Sequence, residues 1–380
     1  MKRLAPLLAV PILLALVAPA ALARDPGRWA MLRHDPFPGG YNQGITSNGR
    51  SLFFDGALGA SYAALYRNSL ALTQRRGNTL IIPQDVRLRE GYNHIGDIGF
   101  VRSGGGRVLL PLECYTPGAP NGGNTCGTGS IAVADPSTLA WRYYVKLDPA
   151  GIPKAMWVEP SPDGRLLWTS ARKDLLAYRT ADVTAANAAP AAAPIRAVKR
   201  LKRAVPPSGI TGAVFHDGRL FVAGSDAGPF QIWSVDLTTG KRRLEFERRF
   251  NGESEGLDVG PYMGGLLHWM ILPFDSGPPT FGNQGALLEL VPAGRYAIRL
   301  TGPRVIGEGL RTVEFRASYR LGRRRWPLEG ARVTAGGKSG ITQADGHVTL
   351  TIRLKEGVNP AVATFRGLLP GTFALTARPN

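Results

Sequence analysis

The stretch Thr211-Gly212-Ala213-Val214-Phe215-His216-Asp217-Gly218-Arg219-Leu220-Phe221-Val222-Ala223 reads as two apolar strands joined by an Asp-Gly turn. Glycine accepts the positive φ that such a turn requires, and apolar runs on both sides make the segment a hairpin. Outward from it, Gln231 to Asp236 is a third strand, and Arg242 to Glu247, after the Thr239-Gly240 turn, is a fourth. The same Gly-Arg turn with a following apolar run recurs at Gly49-Arg50, Gly106-Arg107 and Gly164-Arg165, with a degenerate fifth copy at Gly264-Gly265-Leu266. A period of roughly 47 to 58 residues without helical patterning marks a repeat architecture. Four strands per repeat, arranged radially, make a β-propeller.

The other units fit the same template. Unit one places strands at Gly44 to Ser47, Ser51 to Phe54, Tyr62 to Tyr66 and Thr79 to Ile82. Unit two has Ile98 to Val101, Val108 to Leu112, Ile131 to Ala134 and Trp141 to Val145; unit three has Met156 to Glu159, Leu166 to Thr169, Leu175 to Tyr178 and Ile195 to Val198. Unit five has Leu257 to Val259, Leu266 to Leu272, Ala286 to Leu290 and Tyr296 to Leu300, while Trp29 to Leu32 supplies an edge strand that helps close the ring. The expected fold is all-β: a five-bladed propeller, alternatively six-bladed, over residues 24–302, followed by a smaller β-unit over 310–380.

At the start, Lys2 and Arg3, an apolar stretch broken by Pro6, Pro11 and Pro19, and Ala21-Leu22-Ala23 read as a secretory signal peptide over 1–23. No other apolar run reaches the length of a membrane span, so a secreted, extracellular chain without a transmembrane segment is expected. The two cysteines agree with an oxidising compartment: Cys114 and Cys126 bracket a Gly- and Pro-rich hairpin loop, and a bridge between them would staple it. Two free thiols or half of a metal site are the competing readings, but no CxxC spacing exists and no histidine lies in the loop. Ala185 to Pro194 reads as an inserted loop within unit three.

The net charge of +18 concentrates in runs at Arg196 to Arg203, Lys241 to Arg249 and Arg320 to Arg325. The runs either form a footprint for an anionic partner of the cell envelope or lie as solvated faces on outer strands. Nucleic acid is not expected, because aromatics do not interleave with the basic runs. Nothing in the pattern calls for more than a monomer.

Chemistry in a propeller belongs at the entries to the innermost strands, which meet around the channel although they are distant in sequence. Those entries carry Asn42 and Gln43, His94 and Asp97, Trp157 and Glu159, Thr211, and Glu255 with Asp258. Asn42, Trp157 and Thr211 are the candidate ligand-binding residues. No G-x-S-x-G elbow, H-E-x-x-H, dinucleotide fingerprint or complete phosphate loop occurs, and Gly336-Gly337-Lys338-Ser339 reads as a turn.

Two resemblances attach to quoted phrases. Asn93-His94-Ile95-Gly96-Asp97-Ile98 and Ser254-Glu255-Gly256-Leu257-Asp258-Val259 are similar to channel-entry motifs of lactonase- and esterase-like propellers. That resemblance implies calcium as the cofactor, held by Asp97, Glu159 and Glu255, with His94 as general base. Pro327 to Val333 followed by Thr342 to Leu350 resembles carboxypeptidase-regulatory-like and bacterial immunoglobulin-like modules, which implies a small Ig-like β-sandwich serving as stalk, spacer or binding module. The favoured function is a secreted recognition or scaffold protein binding an extracellular or cell-envelope ligand; the alternative is a calcium-dependent hydrolase of lactone or ester substrates.

Overall fold

The computed structural model describes residues 26–379 apart from 38–39, 58–61, 74, 120–122, 149–153, 186–192, 227 and 275–284. The leader read at 1–23 and most of the inserted loop of unit three lie outside these residues. Among the described residues, five antiparallel sheets succeed one another along the chain up to Pro292. Each repeat glycine, at 49, 106, 164, 218 and 264, has positive φ. Four of them open the second strand of their sheet, as at Gly218 before Arg219–Gly224, and the fifth immediately precedes Gly265–Pro273.

The fourth sheet has the expected strands, Gly212–His216, Arg219–Gly224, Phe230–Val235 and Arg242–Arg248, in that order. The outermost strands of three other sheets differ. In the first sheet the outer strand is Arg75–Asn78, not Thr79 to Ile82, and in the third it is Lys199–Leu201, not Ile195 to Val198. In the fifth it is Trp29–Pro36, paired antiparallel with Ala286–Pro292, so the start of the described chain completes the blade that ends the repeats. The segment expected as that blade's last strand is instead Arg299–Thr301, which pairs with Gly309–Leu321 in a separate sheet.

Five apolar clusters lie one at each joint between neighbouring sheets. Phe53 and Leu65 meet Val108 and Leu110; Leu109 and Val133 meet Leu167 and Tyr178; Trp168 and Leu175 meet Leu220 and Val222. Phe221 and Ile232 then meet Trp269 and Leu288, and Met270 and Leu287 return to Leu52 and Phe54 of the first sheet. Burying both faces of each blade explains why its inner strands are apolar in continuous runs, with no alternation. Arg107–Glu113, for example, is buried at every position but its first.

The chain after Arg299 forms two more sheets around one apolar core that includes Phe315, Ala331, Val333, Ile352 and Leu375. Its strands alternate instead: His347–Leu354 buries every second residue. Ala30, Leu32 and Val291 of the fifth blade join the same core, and the Tyr319 hydroxyl donates to the Gly264 carbonyl at 2.5 Å. Gly336-Gly337 is the two-residue turn between Arg332–Ala335 and Lys338–Ile341. Among the described residues no helix is long and apolar enough to cross a membrane.

Candidate functional site

Asp97 stands where all five innermost segments meet. Its Oδ1 accepts the Ile45 amide of the first sheet at 3.1 Å, and its Oδ2 accepts those of Ala213, in the fourth sheet, at 2.9 Å and of Leu257, in the fifth, at 3.3 Å. Its own backbone exchanges hydrogen bonds with Met156 and Val158 on the way into the third sheet, at 2.8 and 3.1 Å. One residue of the second sheet thus bonds the other four. The approach is close enough to demand glycine beside it: a Cβ at Gly256 would lie 2.5 Å from Asp97 Oδ1. Burial pushes the Asp97 carboxyl well above the usual range, with the three amides acting in the opposite direction.

The five segments cross this hub and open on a cavity at either side. Asn42 and Gln43, His94 and Gly96, Met156, Thr211, and Glu253 to Glu255 line a mouth cavity of about 530 Å³. Further along the same segments, Thr46, Phe100, Glu159, Phe215 and Asp258 line a second cavity of about 350 Å³. The structure therefore separates the three carboxylates expected to hold calcium: Glu255 faces the mouth, Glu159 the opposite cavity, and Asp97 lies between with both oxygens bonded by amides. Among the described residues no group of three His, Cys, Asp or Glu side chains is placed to hold a metal ion. Glu159 uses Oε1 to accept the Phe215 amide at 3.2 Å, which ties the third sheet to the fourth.

Of the other expected residues, Asn42, His94, Thr211 and Glu255 line the mouth. Trp157 does not: it is wholly buried in the joint between the third and fourth sheets, where its indole N–H donates to Ser170 Oγ at 2.8 Å. A side chain that fills a blade joint cannot also face the ligand, so its assignment to binding is corrected. Asn42 lines the wall, but its amide clamps a strand end, with Oδ1 accepting the Ala57 N–H at 2.8 Å and Nδ2 donating to the Ala57 carbonyl at 3.3 Å. The Thr211 hydroxyl meets Ser254 Oγ at 2.8 Å, across the joint of the fourth and fifth sheets.

The polar side chains that give the mouth its character lie elsewhere. Glu113 ends the strand Arg107–Glu113 directly opposite His94, and its carboxylate stands 3.3 Å from Lys154 Nζ and 3.9 Å from His94 Nδ1. Asp226, Glu253 and Tyr115 complete the wall. Asn93 holds the adjoining loop by a reciprocal pair of 2.7 Å bonds with the Tyr115 backbone, and the Cys114–Cys126 disulfide, expected from the sequence, closes that loop. Burial lowers the His94 imidazole below its ordinary range, with the Glu113 carboxylate acting in the opposite direction; its Nδ1 has no hydrogen-bond partner among the described residues. Burial pushes the Glu255 carboxyl well above the carboxylate range, and neighbouring Glu253, Asp55 and Glu113 add to the shift. The mouth therefore holds an acid whose carboxyl burial raises, a lysine-paired carboxylate and an imidazole that burial lowers, all facing one space.

No family model matches the chain, and no curated protein matches it. Solved structures resemble it at low identity. An exo-β-1,3-galactanase from Phanerochaete chrysosporium covers 90% of this chain and 94% of its own, at 10% identity and a TM-score of 0.46. Myxococcus xanthus glutaminyl cyclase covers 69% of this chain and 97% of its own, at 12% identity and a TM-score of 0.40. The PQQ-bound aldose sugar dehydrogenase of Streptomyces coelicolor covers 70% and 100%, at 9% identity and a TM-score of 0.36. Propellers are among these neighbours, but the activity of none of them transfers to this chain at such distance.

Proposed function

We propose that this is an extracytoplasmic recognition propeller whose mouth cavity binds a small hydroxyl-rich ligand, with the C-terminal sheets, whose sequence resembles Ig-like modules, acting as its spacer. One observation carries the reading: in a basic chain, at +18, the described residues that wall the 530 Å³ cavity include Glu113, Asp226, Glu253 and Glu255 against Lys154 and His94. Carboxylates and a neutral imidazole accept hydrogen bonds from hydroxyl groups, often in pairs, and a concave site with a few convergent polar groups is the usual form of a small-ligand site. The disulfide fits an oxidising compartment. Titration calorimetry with a panel of neutral trisaccharides tests this: wild type binds at least one, and Glu113→Gln, which removes the Lys154 partner, weakens that binding by about tenfold, the size of one charge-assisted hydrogen bond. Absence of binding across the panel overturns it.

A second reading is favoured by the raised Glu255 facing the Lys154-paired Glu113. A carboxyl raised by burial facing an ion-paired carboxylate across one cavity is what general acid–base cleavage of a bound ligand needs, with Glu255 donating and Glu113 accepting. Release of reducing ends from the trisaccharide that binds, lost in Glu255→Gln, separates cleavage from recognition.

A further inference from the structure

Beside the mouth, on the lip between the third and fourth blades, lies an open groove of about 780 Å³ lined by Arg172, Lys173, Arg203 and Arg242. Four cations face it against one carboxylate, Asp226, which also lines the mouth cavity. Two of the basic runs seen in the sequence contribute, Arg203 from one and Arg242 from the other, and the hairpin turn Arg172-Lys173 adds two more charges. The nearby carboxylate that could neutralise them is turned away. Asp174 takes the Arg200 guanidinium on Oδ2, at 2.6 Å, and the Arg203 backbone amide on Oδ1, at 2.8 Å, so the Arg203 side chain is left to the groove. Among the described residues Arg172, Lys173 and Arg203 have no ion-pair partner. The scaffold beneath them is fastened: the Val205 amide donates to the Lys173 carbonyl at 3.1 Å, and Arg242 Nη1 donates to the Val205 carbonyl at 2.5 Å.

We infer that this groove is an anion subsite continuous with the mouth, and that the ligand is an acidic saccharide whose neutral ring enters the cavity while its carboxylate docks on Arg172, Lys173, Arg203 and Arg242. The inference rests on the mouth being a saccharide site, as proposed above. The two surfaces carry opposite charge and share Asp226, which fixes the orientation: the acidic wall repels a carboxylate from the mouth and the groove attracts it. Guanidinium forks suit a carboxylate, which each can hold in two parallel hydrogen bonds. The groove is lined by Pro206, Pro207 and Gly209, and among the described residues that line it there is no aromatic on which a base could stack, so a saccharide fits where a nucleic acid does not.

Calorimetry with trigalacturonate and with its carboxyl-reduced, neutral counterpart tests the assignment on the intact disulfide-bonded chain. The acidic trimer is expected to bind at least about tenfold tighter at low salt, an advantage that shrinks as salt is raised. In R172Q/K173Q, two exposed turn residues, and separately in R203Q, the two trimers become equal in affinity while the unfolding temperature holds. If both trimers bind wild type alike, or the acidic one binds the groove variants as tightly as wild type, the groove inference is overturned and the mouth reading stands. If neither trimer binds, both fall. A single-stranded oligonucleotide that displaces the acidic trimer would overturn the saccharide class.

Discussion

Asp97 and Glu255 come from look-alike phrases, each next to a glycine at the entry to an innermost strand, and the fold puts them to opposite uses. Asp97 has both oxygens bonded by amides from three sheets, whereas no hydrogen bond from the described residues reaches the Glu255 carboxyl. One carboxyl holds the ring together and the other faces a cavity. The same local pattern therefore says that a carboxyl will lie on the axis, and only the depth along the strand says whether it is structural or available to a ligand.

The largest expected effect breaks the first half of that contrast. Asp97→Ala leaves the amides of Ile45, Ala213 and Leu257 without an acceptor in a space closed to bulk water, at about 1–3 kcal/mol for each unsatisfied group. The urea midpoint should fall by several kcal/mol in equivalent stability, with Asp97→Asn in between because its amide keeps one acceptor oxygen. Chelator should change neither value. An Asp97→Ala protein that unfolds like wild type would remove the hub from the account.

How much of this was legible follows from where the information sits. The second and third strands of each blade are apolar runs bounded by turns, so Arg219–Gly224 and Phe230–Val235 stand within a residue of their sequence reading. The outer strands Arg75–Asn78 and Lys199–Leu201 are short and largely exposed, carry no apolar pattern and were displaced by the nearest apolar residues instead. The closing strand Trp29–Pro36 is a long-range partner, which no local window reports, though its apolar start at Trp29 hinted at it. At the site, attention to first-strand entries found His94 and Glu255 but missed Glu113, which belongs to a second strand. Cross-strand pairing opposite His94 was the signal that could have found it. Lys154, Asp226 and Glu253 sit in loops or at a strand start, where polar residues are the rule and carry no distinguishing pattern.

A smaller effect sharpens the contrast by adding pH. Asp258, on the far side of the hub, is raised to about 7 by burial, with the Tyr262 hydroxyl bond acting in the opposite direction. Its folded value lies above the unfolded one, so the folded state binds more protons between the two. The stability it contributes is full below the unfolded value of 3.8 and is lost as pH rises through about 7, at roughly 1.4 kcal/mol per unit. Asp55, Asp97, Glu159 and Glu255 are shifted the same way. His268, lowered to about 4 by burial, opposes them only between that value and 6.5. Melting temperature should therefore decline from mildly acidic to mildly alkaline pH, and Asp258→Asn should flatten part of the decline. A profile rising from pH 6 to 8 would contradict the burial of these acids.

The smallest effect concerns Glu255 and runs against the direction of most substitutions. Its carboxyl is raised by burial and by other acids, with no hydrogen bond from the described residues holding the charge, so ionising it costs stability above the unfolded value of 4.5. Glu255→Gln keeps the shape and removes the ionisable proton, so the variant should match wild type near pH 4 and exceed it near pH 8 by about 1 kcal/mol or less, once solvent at the cavity wall is allowed for. Ligand affinity or turnover should fall in the same variant. A residue whose removal strengthens the fold while weakening the site is one kept for what it does to a ligand, and that pairing of outcomes is what separates Glu255 from Asp97, where stability is lost outright. If Glu255→Gln instead destabilised the protein at pH 8, Glu255 would be a second hub residue and the mouth would be without its acid.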